Sequence, residues 1–293
     1  MGIVLGTNRY GKAEIRLVRV YRDSPRHEIR DLCVSTSLRG DFTAAHVAGD
    51  QSAVLPTDSQ KNAAYAHAKE HGVGEIEDYA LRLARYLVAE VDAAHAARVD
   101  VEEYGWDRIE AGGRAHDHAF VRSGREVRTA TVVVEKHGRT GVWAGFRDLT
   151  VLKSTGSEFR GFRRDRYTTL AETDDRILAT SLDSRWRYAA DDGDWARLYA
   201  SVRAVLLERF ASTHSYALQH SLWEMGRAAL DGNPEVAELR LVAPNKHHLA
   251  VDLSPFGLDN AGEVFHADDR PYGLIEASVR RDDAPPAPDW DDG

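Results

Sequence analysis

Two segments of the sequence resemble each other and indicate a duplicated unit. They are RDLCVSTSLRGDF at 30–42 and RDLTVLKSTGSEF at 147–159. Both share Arg-Asp-Leu-x-Val, followed by a glycine, an acidic residue and phenylalanine. A Thr-Asp pair then follows each segment at nearly the same spacing, at 57–58 and at 173–174. An internal repeat with this spacing predicts two tandem structural units.

The sequence after each segment has the pattern of helices. Thr57 followed by Gln60 forms a capping box, which predicts that Thr57 is the N-cap of a helix that stops at Gly72. Further helices are predicted where apolar residues recur three or four positions apart. These residues are Ile76, Tyr79, Ala80, Leu83 and Leu87 in the first half and Trp195, Leu198, Tyr199, Val202, Leu206 and Phe210 in the second, with a last helix from about 216 to 230.

Both halves then return to strand-like sequence. VRTATVVVEKH at 127–137 is rich in β-branched residues, and so is the segment at 236–253. Each half therefore has the order strands, helices, strands, without βαβ alternation. This order predicts an α+β fold with antiparallel sheets and helices on one face. We expect a first unit at 1–140, a second at 141–282, and a disordered acidic, proline-rich tail at 283–293.

Charge and apolar content limit the classes of partner. The chain has 38 basic and 47 acidic residues, a net charge of -9, and no basic cluster longer than RRDR at 163–166, which argues against a nucleic-acid surface. No run approaches the roughly 20 apolar residues of a membrane span, and the N-terminal sequence turns polar too early for a secretory signal. Cys33 is the one cysteine, which excludes an internal disulfide. We expect a cytoplasmic protein that binds neither nucleic acid nor membrane.

Two short motifs are typical of phosphate or metal sites but lack essential parts. GTNRYGKA at 6–13 begins like a phosphate-binding loop, yet Ala13 replaces the Ser or Thr that would hold magnesium, and strand-like residues follow. HDH at 116–118 has the spacing of a zinc site on a strand. The preceding Gly112-Gly113 predicts a solvated loop instead, and no third ligand lies nearby in sequence. We therefore predict no metal and no organic cofactor.

The segment VAPNKHHLAVDL at 242–253 looks like a strand with a polar interruption. Pro244 is expected to break the strand. His247 has the parity of the apolar residues that follow it, so it is expected to face the packed interior, whereas His248 faces the other way. A lone inward histidine is more often a core residue than a functional one, so the segment alone leaves its role open.

Five polar segments together resemble the signature segments of urate oxidase (uricase). They are YGKAEIRL (10–17), LPTDSQKN (55–62), STGSEFRGFRRDRYTTLAETDDRILAT (154–180), ALQHSLWEMG (217–226) and PNKHHLAVDL (244–253). They occur in the family's order over nearly the whole chain, and the long middle segment is the specific one. The resemblance implies two tandem tunnelling-fold units per chain, and a homotetramer whose sheets close into a barrel, with active sites at subunit interfaces.

The same resemblance implies a reaction without a cofactor, in which urate, dioxygen and water give 5-hydroxyisourate and hydrogen peroxide in purine degradation. Lys12 and Thr57 match the family's proton-transfer dyad, and His247 matches the histidine that completes the relay. Substrate-binding positions of the family fall on Thr57, Asp58, Phe159, Arg176, Leu218, Gln219 and Asn245. Urate and dioxygen are therefore the expected partners.

The chemistry of a planar anion suits these residue types. The guanidinium of Arg176 can hold one edge of the purine through two hydrogen bonds, and the carboxamide of Gln219 can both accept and donate. Stacking on Phe159 adds on the order of 1 kcal/mol. A lysine can take the proton where burial or a neighbouring charge lowers its pKa from about 10.4. Asn245, with Thr57, is expected to hold dioxygen or water above the ring.

Ordinary structural roles remain open for the same residues. Arg176 follows two acidic residues, which is typical of an ion pair on a helix surface. Gln219 is compatible with a solvated helix residue, and Phe159 is compatible with a core residue. Departures from the family pattern occur at Pro56 and at His220-Ser221, and a serine there could loosen the packing behind Gln219. Two other functions also remain open. One is a tunnelling-fold enzyme for a pterin or purine in which HDH contributes to zinc binding, and the other is a purine-binding or structural protein that has lost activity.

Overall fold

The structure, a computed structural model, describes residues 2–290, so the last three positions of the predicted tail lie outside the described residues. The strands are β1 (Tyr10–Tyr21), β2 (Glu28–Gly40), β3 (Ala94–Ala111), β4 (Arg114–Glu135), β5 (Thr140–Lys153), β6 (Leu178–Tyr188), β7 (Val236–Ala250), β8 (Phe265–Asp268) and β9 (Leu274–Arg280). The helices are α1 (Thr43–Val47), α2 (Thr57–Glu70), α3 (Ile76–Glu90), α4 (Trp195–Ser212) and α5 (Leu218–Gly232).

The described strands form one nine-stranded antiparallel sheet. Its order follows the chain from β1 to β8, and β9 pairs with β7. The sheet is an open path of hydrogen-bonded neighbours, so β1 lies at one edge and β7 lies near the other. The predicted α+β class with antiparallel strands is confirmed.

The core lies between the helices and one face of the sheet. Along β2, Leu32, Val34, Thr36 and Leu38 are buried in alternation, because side chains of a strand point to opposite faces in turn. Helix α3 packs against β3 and β4, and α5 packs against β7 and β9. Burial of each large apolar side chain contributes roughly 1.5–3 kcal/mol. The predicted apolar stripes of α3 and α4 are buried, apart from the half-buried Tyr199.

Helix α2 begins differently from the sequence prediction. Pro56 is the N-cap, without a side-chain cap hydrogen bond, and Thr57 is the first helical residue, so the predicted capping box is wrong. The side chain of Gln60 is instead fully buried and accepts a hydrogen bond from Thr36. The hydroxyl of Thr57 is therefore not used in a cap. The helix ends as predicted, with Gly72 at a positive φ of 71° two residues beyond its last residue.

Two further sequence predictions are corrected in the sheet. Pro244 does not break β7, which continues from Val236 to Ala250, because the partner strand changes there: β9 pairs with β7 up to Pro244, and β8 pairs from His247 onwards. HDH at 116–118 lies in β4 rather than in a loop, because Gly112-Gly113 makes a tight turn between β3 and β4.

The two similar sequence segments do not lie in equivalent elements. Residues 30–42 fall mainly in β2, the second strand of the first half, whereas 147–159 begins in β5, the first strand of the second half. Asp58 lies in α2, but Asp174 lies in the connection before β6. The order of elements does repeat, because each half has two strands, two long helices and then further strands.

The described part of the tail contacts the sheet. Arg187 donates a hydrogen bond of 2.7 Å to the carbonyl of Pro285, and the backbone N–H of Asp289 donates to Glu135 at 2.8 Å. The guanidinium of Arg39 lies 4.5 Å from the ring of Trp290. These contacts were not predicted from the composition of the tail. Within residues 2–290, no helix is both long and apolar enough to cross a membrane.

Candidate active site

The start of β1 holds Lys12 against β2. A Cβ atom at Gly11 would lie 1.8 Å from the carbonyl oxygen of Thr36, so only glycine allows this approach. Lys12 pairs with Thr36 in the sheet, and its N–H donates to the Thr36 hydroxyl at 3.3 Å. An extra residue in β1 then makes a bulge, with Glu14 at a positive φ of 56°. Bulges redirect side chains and are frequent beside active sites.

Lys12 lies close to the N-terminus of α2. The hydroxyl of Tyr10 accepts a hydrogen bond from the N–H of Leu55 at 3.0 Å, which ties the start of β1 to the residues before the helix. Lys61 lowers the pKa of Asp58 through a hydrogen bond and its charge, and the ammonium of Lys12 is near enough to contribute. Lys12, Thr57 and Asp58 thus form one group, which we call the lysine cluster.

A second group of predicted residues lies where three segments of the chain meet: the segment after β5, the segment before β6 and the segment that leads into α5. Ser157 and Ser215 form a parallel bridge, and the N–H of Arg176 donates to the carbonyl of Ser157 at 2.8 Å. Phe159 forms an antiparallel bridge with Thr173. These backbone hydrogen bonds bring the predicted residues Phe159 and Arg176 together with the segment that leads into α5.

Arg176 is a half-buried cation without a described counter-ion. Its guanidinium carbon lies 5.0 Å from the centre of the Phe159 ring. Its Nε atom is buried and has no hydrogen-bond partner among the described residues, and none of the ion pairs found within residues 2–290 includes it. Burial lowers the pKa of this guanidinium from its ordinary value. A desolvated, uncompensated cation of this kind is suited to an anionic ligand.

The acidic residues before Arg176 are bound elsewhere. Asp174 pairs with Arg160, whereas Asp175 accepts hydrogen bonds from the Thr155 hydroxyl at 2.7 Å and from the Gly156 N–H at 2.9 Å. The segment also lies outside any helix. The alternative of a helix-surface ion pair for Arg176 is therefore wrong.

Helix α5 presents its first two residues at the same junction. Leu218 is buried and Gln219 is exposed. Ser221 donates a hydrogen bond of 2.7 Å to the hydroxyl of Ser215, which donates to the carbonyl of Ala217 at 3.0 Å. The serine that departs from the family pattern is thus part of a buried hydrogen-bonded pair behind Gln219.

The far end of β7 adds Asn245 and His247. Asn245 pairs with Thr180 of β6, and His247 pairs with Asp268 of β8. Both have the parity of the buried residues earlier in β7, although His247 itself is only partly buried. Helix α5 runs back into β7 through a short connection, so its N-terminus lies towards this end of the strand. We call these two residues together with Phe159, Arg176, Leu218 and Gln219 the arginine cluster.

The lysine cluster and the arginine cluster lie at opposite edges of the sheet. Six strand spacings separate β1 from β7, which is roughly 29 Å along the sheet. One chain therefore divides the predicted site residues into two groups that do not meet. The cavities of about 750 Å³ and 770 Å³ lie elsewhere, near Arg30 and Trp106. Within the described residues, no three His, Cys, Asp or Glu side chains are grouped so as to hold a metal ion.

Sequence reasoning missed the buried polar residues that support both clusters. Thr36 and Gln60 lie beneath the lysine cluster, and Ser215 and Ser221 lie beneath the arginine cluster. A signal was present for Gln60, since it precedes the buried Ala64 and Ala68 at helical spacing. A polar residue on an apolar stripe indicates a buried hydrogen-bond partner.

These features define an α+β protein with two polar clusters at the edges of one antiparallel sheet. The sequence profile of the uricase family matches residues 8–133 and 142–276. The chain belongs to the uricase family of oxidoreductases.

The relatives cover nearly the whole chain. Uricase from Arthrobacter globiformis is 52% identical over 280 residues, which are 96% of this chain and 91% of that protein. Uricase from Dictyostelium discoideum is 32% identical over 277 residues, 94% of this chain and 96% of that one. The crystal structure of the Arthrobacter globiformis enzyme matches with a TM-score of 0.93 at 51% identity, covering 98% of both chains. A uricase structure from Bacillus fastidious matches at 0.81 and 26% identity, covering 94% of both.

Proposed function

We propose that the protein oxidises urate with dioxygen and water, giving 5-hydroxyisourate and hydrogen peroxide in purine degradation. Two electrons pass from the purine to dioxygen, which becomes peroxide with two protons, and water supplies the new hydroxyl group. The family match and the residues of both clusters support this reaction. The purine itself supplies the electrons, so the proposal needs no metal or organic cofactor.

The arginine cluster is the proposed purine-binding half of the site. The guanidinium of Arg176 binds one edge of the anion and the amide of Gln219 binds the other, while Phe159 stacks on the ring. Leu218 supplies an apolar wall and Asn245 holds dioxygen or water above the ring. The single observation that carries the proposal is the half-buried guanidinium of Arg176, which lacks a counter-ion among the described residues.

The lysine cluster is the proposed proton-transfer half. Lys12 and Thr57 take a proton from the purine, and His247 from the other cluster completes the relay. The N–H groups of the first turn of α2 are without partners within the helix, so the backbone of Asp58 is available to contact the purine. Because Pro56 rather than Thr57 is the N-cap of α2, the hydroxyl of Thr57 is not required as a cap and is proposed to take part in the relay.

The separation of the clusters supports assembly of each site from two copies of the chain. A neighbouring copy whose β1 edge approaches the β7 edge would bring a lysine cluster to an arginine cluster. We propose that the protein is a cytoplasmic homotetramer. Each chain supplies two tandem tunnelling-fold units, 1–140 and 141–282, and the sheets of the four chains close into a barrel. Closure of the sheets also removes the unpaired strand edges.

Urate turnover is the direct test of the reaction. We expect urate-dependent oxygen uptake, with one peroxide released per urate, that persists after exhaustive treatment with a metal chelator. Tight urate binding without oxygen uptake would contradict the proposal and support a purine-binding protein. Activity that is lost on chelation and restored by zinc would support the zinc-dependent alternative.

A further inference from the structure

A buried polar pair connects the two elements that carry the lysine cluster, β1 with Lys12 and α2 with Thr57 and Asp58. Thr36 on β2 is 2% exposed and Gln60 on α2 is fully buried. The Thr36 hydroxyl accepts from the N–H of Lys12 at 3.3 Å and donates to Oε1 of Gln60 at 2.7 Å. The amide of Gln60 then donates to the carbonyl of Leu55 at 3.4 Å. A continuous chain of hydrogen bonds therefore runs from the backbone of Lys12 to both sides of Thr57.

The ordinary sheet pairing does not fix Lys12 on its C-terminal side. Regular register stops at Lys12 and resumes at Ile15 because of the bulge in β1. The hydroxyl of Thr36 therefore holds the Lys12 backbone at the point where the regular pairing ends. Since Gln60 lies one helical turn after Thr57, the same hydroxyl also fixes the start of α2 relative to β1.

Packing alone does not require polar side chains at these positions. The neighbouring residues on the buried face of α2 are Ala64 and Ala68, and an apolar pair would fill the same space without the cost of desolvation. Buried hydrogen-bonded pairs instead fix one relative arrangement of the elements that carry them. The Thr36 hydroxyl uses both its donor and one acceptor position, so each partner has one defined place.

We propose that Thr36 and Gln60 are positioning residues that hold Lys12 in register with Thr57 for proton transfer. This inference rests on the proposed proton-transfer role of Lys12. Misplacement of a catalytic group by about 1 Å can cost on the order of a hundredfold in rate. The pair does not contact the arginine cluster, so its loss should lower kcat more than it raises KM for urate.

Isosteric variants separate positioning from folding. We expect Thr36→Val and Gln60→Met each to lower kcat about ten- to hundredfold while KM changes by less than about threefold. The double variant should recover part of the thermal stability lost in the single variants, because the facing polar atoms of Thr36 and Gln60 are removed together, but it should not recover kcat. Thr36→Ser keeps the hydroxyl and should keep kcat within about twofold of wild type despite the lost methyl group.

Tyr79→Phe is the matched control. It removes a buried hydrogen bond of 2.7 Å from the hydroxyl of Tyr79 on α3 to the carbonyl of Ala64 on α2. Ala64 lies on the same helix as Gln60, but away from the N-terminus of that helix. Tyr79→Phe should lower the melting temperature without lowering kcat. A kcat that follows the melting temperature across all these variants, with recovery in the double variant, would overturn the positioning role.

Lys12→Met separates failure of this inference from failure of the proposed function. Near wild-type turnover in Lys12→Met would remove the proton-transfer role of Lys12 and the positioning role with it. Loss of turnover in Lys12→Met, together with wild-type kcat in the Thr36→Val/Gln60→Met double variant, would overturn the positioning role alone.

Discussion

Arg176→Gln should weaken binding of the purine without weakening the fold. In the proposed complex, the guanidinium makes two charge-assisted hydrogen bonds to the anion, each contributing roughly 1.5–3 kcal/mol. Glutamine can replace part of one of them, so we expect a loss of about 3 kcal/mol. This corresponds to an increase in Kd on the order of 150-fold.

The fold should tolerate Arg176→Gln, because the buried Nε of Arg176 has no partner and no carboxylate among the described residues neutralises its charge. The melting temperature is therefore expected to stay constant or to rise. The assays are calorimetric titration with a non-oxidisable purine analogue, which isolates binding from turnover, and thermal unfolding of the same samples.

Arg227→Gln is the matched control for Arg176→Gln. Arg227 lies on the exposed face of α5 and pairs with Glu224 and Asp231, so its loss should leave binding within about twofold, as for a surface ion pair. Unchanged analogue binding in Arg176→Gln, accompanied by a large fall in melting temperature, would show that Arg176 has a structural role and that the anion binds elsewhere.

Three further perturbations have defined outcomes. Gly11→Ala places a Cβ atom against the carbonyl of Thr36 and should cost about 3 kcal/mol of the free energy of unfolding together with most turnover; a stable, active variant would contradict the close approach. Ser221→Ala removes the donor to Ser215 and should raise KM for urate several-fold with a loss of about 1 kcal/mol in stability, whereas Ser221→Thr should retain both. Burial lowers the pKa of His67, so the folded state resists protonation of this imidazole, and stability should be lost as pH falls below about 6.5. The melting temperature of His67→Gln should therefore depend less on pH than that of the wild type. An equal pH dependence in the two proteins would exclude this contribution.

Sequence patterns predicted helices and strands correctly where interactions between residues close in sequence determine the structure. The helical stripes of α3 and α4 follow from periodicity, and the structure confirms them. The strand at 127–137 was predicted from its β-branched residues and is confirmed up to Glu135. The capping box at Thr57 failed because Gln60 hydrogen-bonds to Thr36, a residue on another element. The prediction that Pro244 breaks the strand failed for a similar reason. Proline cannot donate a backbone hydrogen bond, but the partner strand changes from β9 to β8 just after this residue, so β7 continues past it.

For the site, the sequence likewise indicates the chemistry of single residues but not their arrangement in space. The residue types at Lys12, Thr57 and Arg176 indicate their chemistry, and the family resemblance supplies their proposed roles. Their distribution between two edges of the sheet depends on the order of the strands, which spacing along the chain does not encode. The unpaired state of Arg176 likewise depends on where Asp174 and Asp175 bind.

Mixing two impaired variants tests most directly whether each site is assembled from two chains. Lys12→Met keeps an intact arginine cluster, and Arg176→Gln keeps an intact lysine cluster. Co-expression of the two chains should restore about a quarter of the wild-type urate oxidation per site, because random assembly joins two intact clusters at that frequency. At a urate concentration well below the raised Kd of Arg176→Gln, each variant expressed alone should show little activity. Mixed oligomers that form but show no recovered activity would contradict a site shared between copies.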